Sequence, residues 1–156
     1  MSGVIASLFV VLCPTEDPVR VTVVVILAST EDAKVDPKLA ALAKEVQKRD
    51  KTLVGFKIVA SEAKSIPVGG GYAFDLMDEQ VLKVTVEKPK DGNGQIWLMM
   101  KPPGLEKIKY GCACDKFFPV VTPYQTKAGE VLIVAVMAKP CTLGKKAKAG
   151  WFPWRE

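Results

Sequence analysis

Two stretches of this chain have almost no polar side to show. Residues 19–28 read V-R-V-T-V-V-V-I-L-A, and residues 130–138 read E-V-L-I-V-A-V-M-A. A half-buried strand alternates apolar and polar residues, whereas these runs are β-branched and apolar nearly throughout. Each reads as a strand covered on both faces, with Arg20 and Thr22 leaving one face wet at the start of the first. Such strands belong in the middle of a sheet. They are expected to lie centrally and to be neighbours.

The segments between them supply the remaining elements. Asp36-Pro37 is a helix start, because Asp36 can accept a bond from an orphan amide and Pro37 suits the first helical position. Leu39, Leu42, Ala43 and Val46 then recur at helical spacing, opposite Lys38, Lys44, Glu45, Lys48 and Arg49. This predicts one amphipathic helix near residues 37–49, expected to cover an open edge or end. Residues 52–60 form a strand in which Gly55 suggests a bulge. In residues 81–88, Leu82, Val84 and Val86 face inward. Asp91-Gly92-Asn93-Gly94 is the strongest hairpin signal in the chain. Residues 72–76, 95–100, 106–110 and 117–121 are further strand candidates. On strand 95–100, Trp97, Met99 and Met100 are assigned to the core.

The fold class is mainly β, α+β by count. An antiparallel β-sandwich or barrel of seven to eight strands is expected, with the single helix added. A length of 156 residues, 49% of them hydrophobic and 25% charged, suits one globular domain. That domain is placed at residues 16–138, between an N-terminal segment, 1–15, and a C-terminal tail, 139–156.

The net charge of +5 belongs almost wholly to the tail. Lys139, Lys145, Lys146, Lys148 and Arg155 oppose only Glu156, so the body is close to neutral. Nucleic-acid binding by the domain is therefore disfavoured. The tail combines Lys145, Lys146 and Lys148 with Trp151, Phe152 and Trp154, a set suited to an acidic partner or an anionic polymer, or to docking on the parent domain.

Residues 1–15 carry no charge, and Val4 to Leu12 are nearly all apolar. That length matches the apolar region of an export signal and is too short to span a bilayer. No Lys or Arg precedes it and no A-x-A site follows. Cys13 invites a lipid-anchor reading, but Leu12 is larger than the residue expected before an acylated cysteine. An export segment is the expectation, with a buried N-terminal strand and a cytoplasmic protein as the alternative.

The chain contains no histidine. That excludes a Ser-His-Asp triad, a Cys-His pair, a His-ligated metal and a histidine switch. Cys112, Cys114 and Cys141 carry the remaining chemistry. Cys112 and Cys114 are ill-placed to bridge each other, so a disulfide from either to Cys141 is expected if the protein is exported. A zinc site of three thiolates with Asp115, or a redox-active C-x-C near Lys107, Lys109 and Lys116, are the sharper alternatives. Gly69 to Gly71 reads as a turn, since no Lys-Ser/Thr and no helix follow. Asp75, Asp78 and Glu79 read as a solvated turn. No pattern points to a cofactor.

Residues 23–29 (V-V-V-I-L-A-S), 35–43 (V-D-P-K-L-A-A-L-A) and 51–58 (K-T-L-V-G-F-K-I) resemble the opening of small exported bacterial proteins of no known activity. The resemblance covers the first third and implies a strand–helix–strand start and export. It transfers no functional residue. The expected function is that of a non-enzymatic exported β-domain, an accessory subunit or binding module of the cell envelope or a larger assembly, whose partner is another protein or an envelope component. The alternatives are a thiol-based redox or metal-binding protein, and an anionic-polymer binder through the tail.

Overall fold

In the computed structural model, which describes residues 17–141, the two apolar strands lie side by side. β1 (Val19–Ser29) pairs antiparallel with β8 (Val131–Pro140), from Val19 opposite Pro140 to Ala28 opposite Val131. Between them come a 3-10 turn (Pro37–Leu39), α1 (Ala40–Gln47), β2 (Gly55–Ile66), β3 (Gly71–Asp75), β4 (Val81–Lys88), β5 (Gln95–Lys101), β6 (Ile108–Ala113) and β7 (Phe118–Gln125). These strands form two antiparallel four-stranded sheets, ordered β2-β1-β8-β7 and β3-β4-β5-β6. The architecture is sandwich-like and is not a closed barrel, because each sheet keeps two edge strands. Residues 1–15, for which an export segment is expected, and the tail residues Lys145, Lys146, Lys148, Trp151, Phe152 and Trp154 lie outside the described residues.

Both faces of β1 and β8 are buried, each by a different layer. Val21, Val23 and Val25 of β1, with Leu132, Val134 and Val136 of β8, face Leu82, Val84, Ile96, Leu98 and Met100 of the second sheet. The opposite faces, Val24, Ile26, Ala28, Ile133 and Ala135, meet Leu39, Ala43 and Val46 of the helical segment together with Leu53 and Phe56. The helix thus covers a sheet face, not the edge or end expected for it. An outer face built of valine, isoleucine and alanine has to be withdrawn from water, at about 25 cal/mol per Å². The apolar stripe of α1 is what the chain has to cover it.

Asp36 caps this segment as its sequence implies, accepting the Lys38 N–H at 3.0 Å, with Pro37 next in line. The α-helix proper is shorter than 37–49, because its first turn is 3-10. The loop leading to it is laid over β2. Phe56 N–H donates to the Lys34 carbonyl at 2.9 Å, and Asp36 N–H donates to the Phe56 carbonyl at 3.0 Å. Gly55 lies beneath this loop because a side chain there would strike the Asp32 carbonyl. The bulge expected at Gly55 sits at Val59 instead. The β1–β2 register slips between Val25 and Ile26, and Val59 is left over and exposed.

The 91–94 hairpin joins β4 to β5. Asp91 Oδ1 accepts the N–H groups of Asn93 and Gln95, and its Oδ2 accepts the Trp97 indole N–H at 3.2 Å. These bonds hold the Asp91 carboxyl below the usual aspartate range. Trp97 is consequently an outward residue lying over Gly111, and Met99 also faces outward; only Met100 of the expected trio is core. Edge strand β7 carries Pro119 and Pro123, which cannot donate to a ladder. Its register with β8 is interrupted between Val121 and Gln125. There the buried Thr122 hydroxyl donates to the Leu132 carbonyl at 2.8 Å. Among the described residues no helix is long and apolar enough to cross a membrane.

Candidate functional site: an apolar cleft beside the helix

The three cysteines among the described residues, Cys112, Cys114 and Cys141, are free and have separate surroundings. Cys112 on β6 is 1% exposed and points into the core between the sheets. Burial pushes its thiol up, the opposite of what thiolate chemistry requires, although a backbone bond from Ala138 works the other way. The Cys114 thiol donates to the Gly94 carbonyl at 3.4 Å, against the β4–β5 hairpin. Cys141 lies past the end of β8, its Sγ 3.5 Å from Ser65 Oγ of β2 and its N–H on the Pro18 carbonyl. The expected bridge from Cys112 or Cys114 to Cys141 is not formed. Cys112 is held under β8, whereas Cys141 has passed the end of that strand towards β2. No three His, Cys, Asp or Glu groups among the described residues are placed to hold a metal ion. Cys112, Cys114, Cys141 and Asp115 therefore do not assemble into a zinc site.

The acidic turn is built as a clasp. Asp78 and Glu79 both adopt left-handed backbone angles, φ 48° and 63°. The Tyr124 hydroxyl donates to Asp78 Oδ2 at 2.8 Å, tying β7 of one sheet to the β3–β4 turn of the other. The same bond raises the Tyr124 pKa, because ionising the phenol would discard it and add a second negative charge.

An apolar concavity lies on the outer face of the first sheet. Its floor is a cross-strand row, Val24 of β1, Ala135 of β8 and Pro119 of β7. Leu39, Ala41 and Leu42 line the helical side, and Phe117 the other. Ala135 is the smallest residue that can be placed mid-row and still carry a Cβ, and this keeps the floor low. Phe117 reaches the outer face because its neighbour Phe118 is taken inside, stacked on Tyr110 with ring centroids 3.7 Å apart. The cleft measures about 300 Å³, at the lower end of the range for small-molecule sites. Among the described residues, its only charged lining residues are Lys38 and Lys116, both exposed.

Sequence reading placed Lys38, Leu39 and Leu42 on the helix and Lys116 beside the C-x-C, and it assigned none of them to a cleft. The legible signals were faint: the Phe117-Phe118 pair, whose members must face opposite ways on a strand, and Leu42, which extends the helical stripe beyond what the sheet can cover. No family model, no curated protein and no solved structure matches this chain.

Proposed function

We propose that this chain is a non-enzymatic, exported β-domain acting by contact, as an accessory subunit or binding module of the cell envelope, with the cleft between α1 and β7 as its binding surface. The observation that carries this reading is the cleft. It is an apolar concavity of about 300 Å³ with two ammonium groups on its rim. Such a shape suits a ligand with an apolar body, and its walls between the two rim lysines present only hydrocarbon side chains. The uncharged N-terminal run supports export. The burial of Cys112 weighs against the thiol-based alternative.

Fractionation of cells producing the full chain tests this. The protein should be recovered outside the cytoplasm and with the envelope, and Ala41→Trp, which fills the cleft from an exposed helix position, should release it. Recovery in the cytosol would defeat the export reading. Equal envelope association of wild type and variant would defeat the role of the cleft.

A further inference from the structure

We infer that the cleft takes a free single-chain carboxylate, a fatty acid of medium length, with its tail along the Val24–Ala135–Pro119 floor and its head group at Lys116 and Lys38. This rests on the reading of the cleft as a binding surface and names its occupant. Three observations select that chemistry. The lining of Val24, Leu39, Ala41, Leu42, Phe117, Pro119 and Ala135 presents side chains with no polar atom, so what lies inside has to be hydrocarbon. A volume of about 300 Å³ accommodates on the order of ten groups the size of a water or a methylene. That is one acyl chain, not the two of a membrane lipid. The charged lining residues are both lysines, so the polar end of the occupant should be an anion. The chain's own tail is a poorer occupant on charge. Trp151, Phe152 and Trp154 follow Lys145, Lys146 and Lys148, and docking them would force these like charges against two further ammonium groups.

The test uses full-length protein and three ten-carbon amphiphiles below their micellar concentrations: decanoate, decanol and decyltrimethylammonium. Binding is read by calorimetry and by methyl NMR of Leu39, Leu42 and Ala41. Decanoate is expected to bind one to one and to shift those methyls. It should bind at least about tenfold tighter than the cationic amphiphile, as a charge-assisted hydrogen bond implies. Lys116→Glu should remove that preference, and Ala41→Trp should abolish binding while leaving the far-UV circular dichroism unchanged. Equal affinity for decanoate and decyltrimethylammonium overturns the inference. So does binding to phosphatidylglycerol vesicles without binding to decanoate, or an indole of Trp151 or Trp154 giving NOEs to the Leu42 methyls. Failure here is separable from failure of the contact reading. Envelope association lost in Ala41→Trp, with decanoate inert, refutes only the occupant. Decanoate binding with no envelope association refutes only the role.

Discussion

Gly55→Ala tests whether the loop before the helix is fixed by the space that glycine leaves. A Cβ at Gly55 falls far inside contact distance of the Asp32 carbonyl oxygen, and the Lys34 carbonyl oxygen is 3.3 Å away. Both obstacles are backbone and neither can swing aside. The loop has to lift off β2, and with it go the Phe56–Lys34 and Asp36–Phe56 hydrogen bonds and the bridge of Val35 to Phe56. Phe56 is 1% exposed, so water does not replace those partners. Leaving its N–H and its carbonyl unsatisfied costs about 1–3 kcal/mol each, or about 2–6 kcal/mol together. The stiffer unfolded chain offsets about 0.4–1 kcal/mol of this. The net loss is about 1–5.6 kcal/mol, against the roughly 5–15 kcal/mol that holds a domain together. Urea unfolding followed by circular dichroism measures it. Gly92→Ala is the control, since a Cβ there meets nothing within 4 Å; it should stay within about 0.5 kcal/mol of wild type or gain slightly. Coincident curves for the two variants would refute the reasoning. Because the lifted loop also carries the Asp36 cap, decanoate binding should weaken in Gly55→Ala and not in Gly92→Ala.

Three further outcomes are expected. Iodoacetamide should modify Cys114 and Cys141 of the native protein well before Cys112, which is buried with its thiol pushed up; peptide mapping showing Cys112 labelled as fast as Cys141 contradicts the core placement. Thr122→Val should cost about 1–3 kcal/mol, because it orphans the Leu132 carbonyl where β7 has left the ladder; an unchanged urea midpoint would show that the hydroxyl does not seal the bulge. Asp91→Asn should destabilise the domain near neutral pH and progressively less in acid. A carboxyl with a lowered folded pKa contributes fully above its unfolded value, and loses that contribution as the pH falls through the folded value. The gap between wild type and variant should therefore close as the pH falls below the usual aspartate range, and a gap that widens there assigns the effect to something other than Asp91 ionisation.

The centre of the fold was legible because β1 and β8 announce it. A run such as V-V-V-I-L-A cannot sit at an edge without exposing apolar surface, so central placement followed from composition, whereas composition only allowed the adjacency that the pairing shows. The position of the helix did not follow. The stripe of Leu39, Ala43 and Val46 says that α1 must be covered, and it is silent on what covers it. Trp97 and Met99 were assigned to the core on hydrophobicity, although strict alternation with Ile96, Leu98 and Met100 places them on the other face. The bulge escaped for a related reason. Gly55 advertises backbone freedom, but here it serves a close approach of the 32–34 loop, and the slipped residue, Val59, is of a type typical of strands. The cleft was invisible because Val24, Leu42, Phe117 and Ala135 come from four segments that only the sheet order brings together.

The adjacency of β1 and β8 also sets the order of assembly. Val19 finds its β8 partner about 120 residues later in the chain, a loop closure of the kind that places β-sandwiches in the millisecond-to-second range. As the chain leaves the ribosome, β1 can zip to β2 at once, but its other edge stays open until the last described strand emerges. The inner face of β1 has no second sheet to meet until β3 to β6 have been made. The domain therefore reaches its final form only after nearly all of it has been synthesised. Until then it carries an unpaired valine-rich edge, a template on which another copy of the chain could pair.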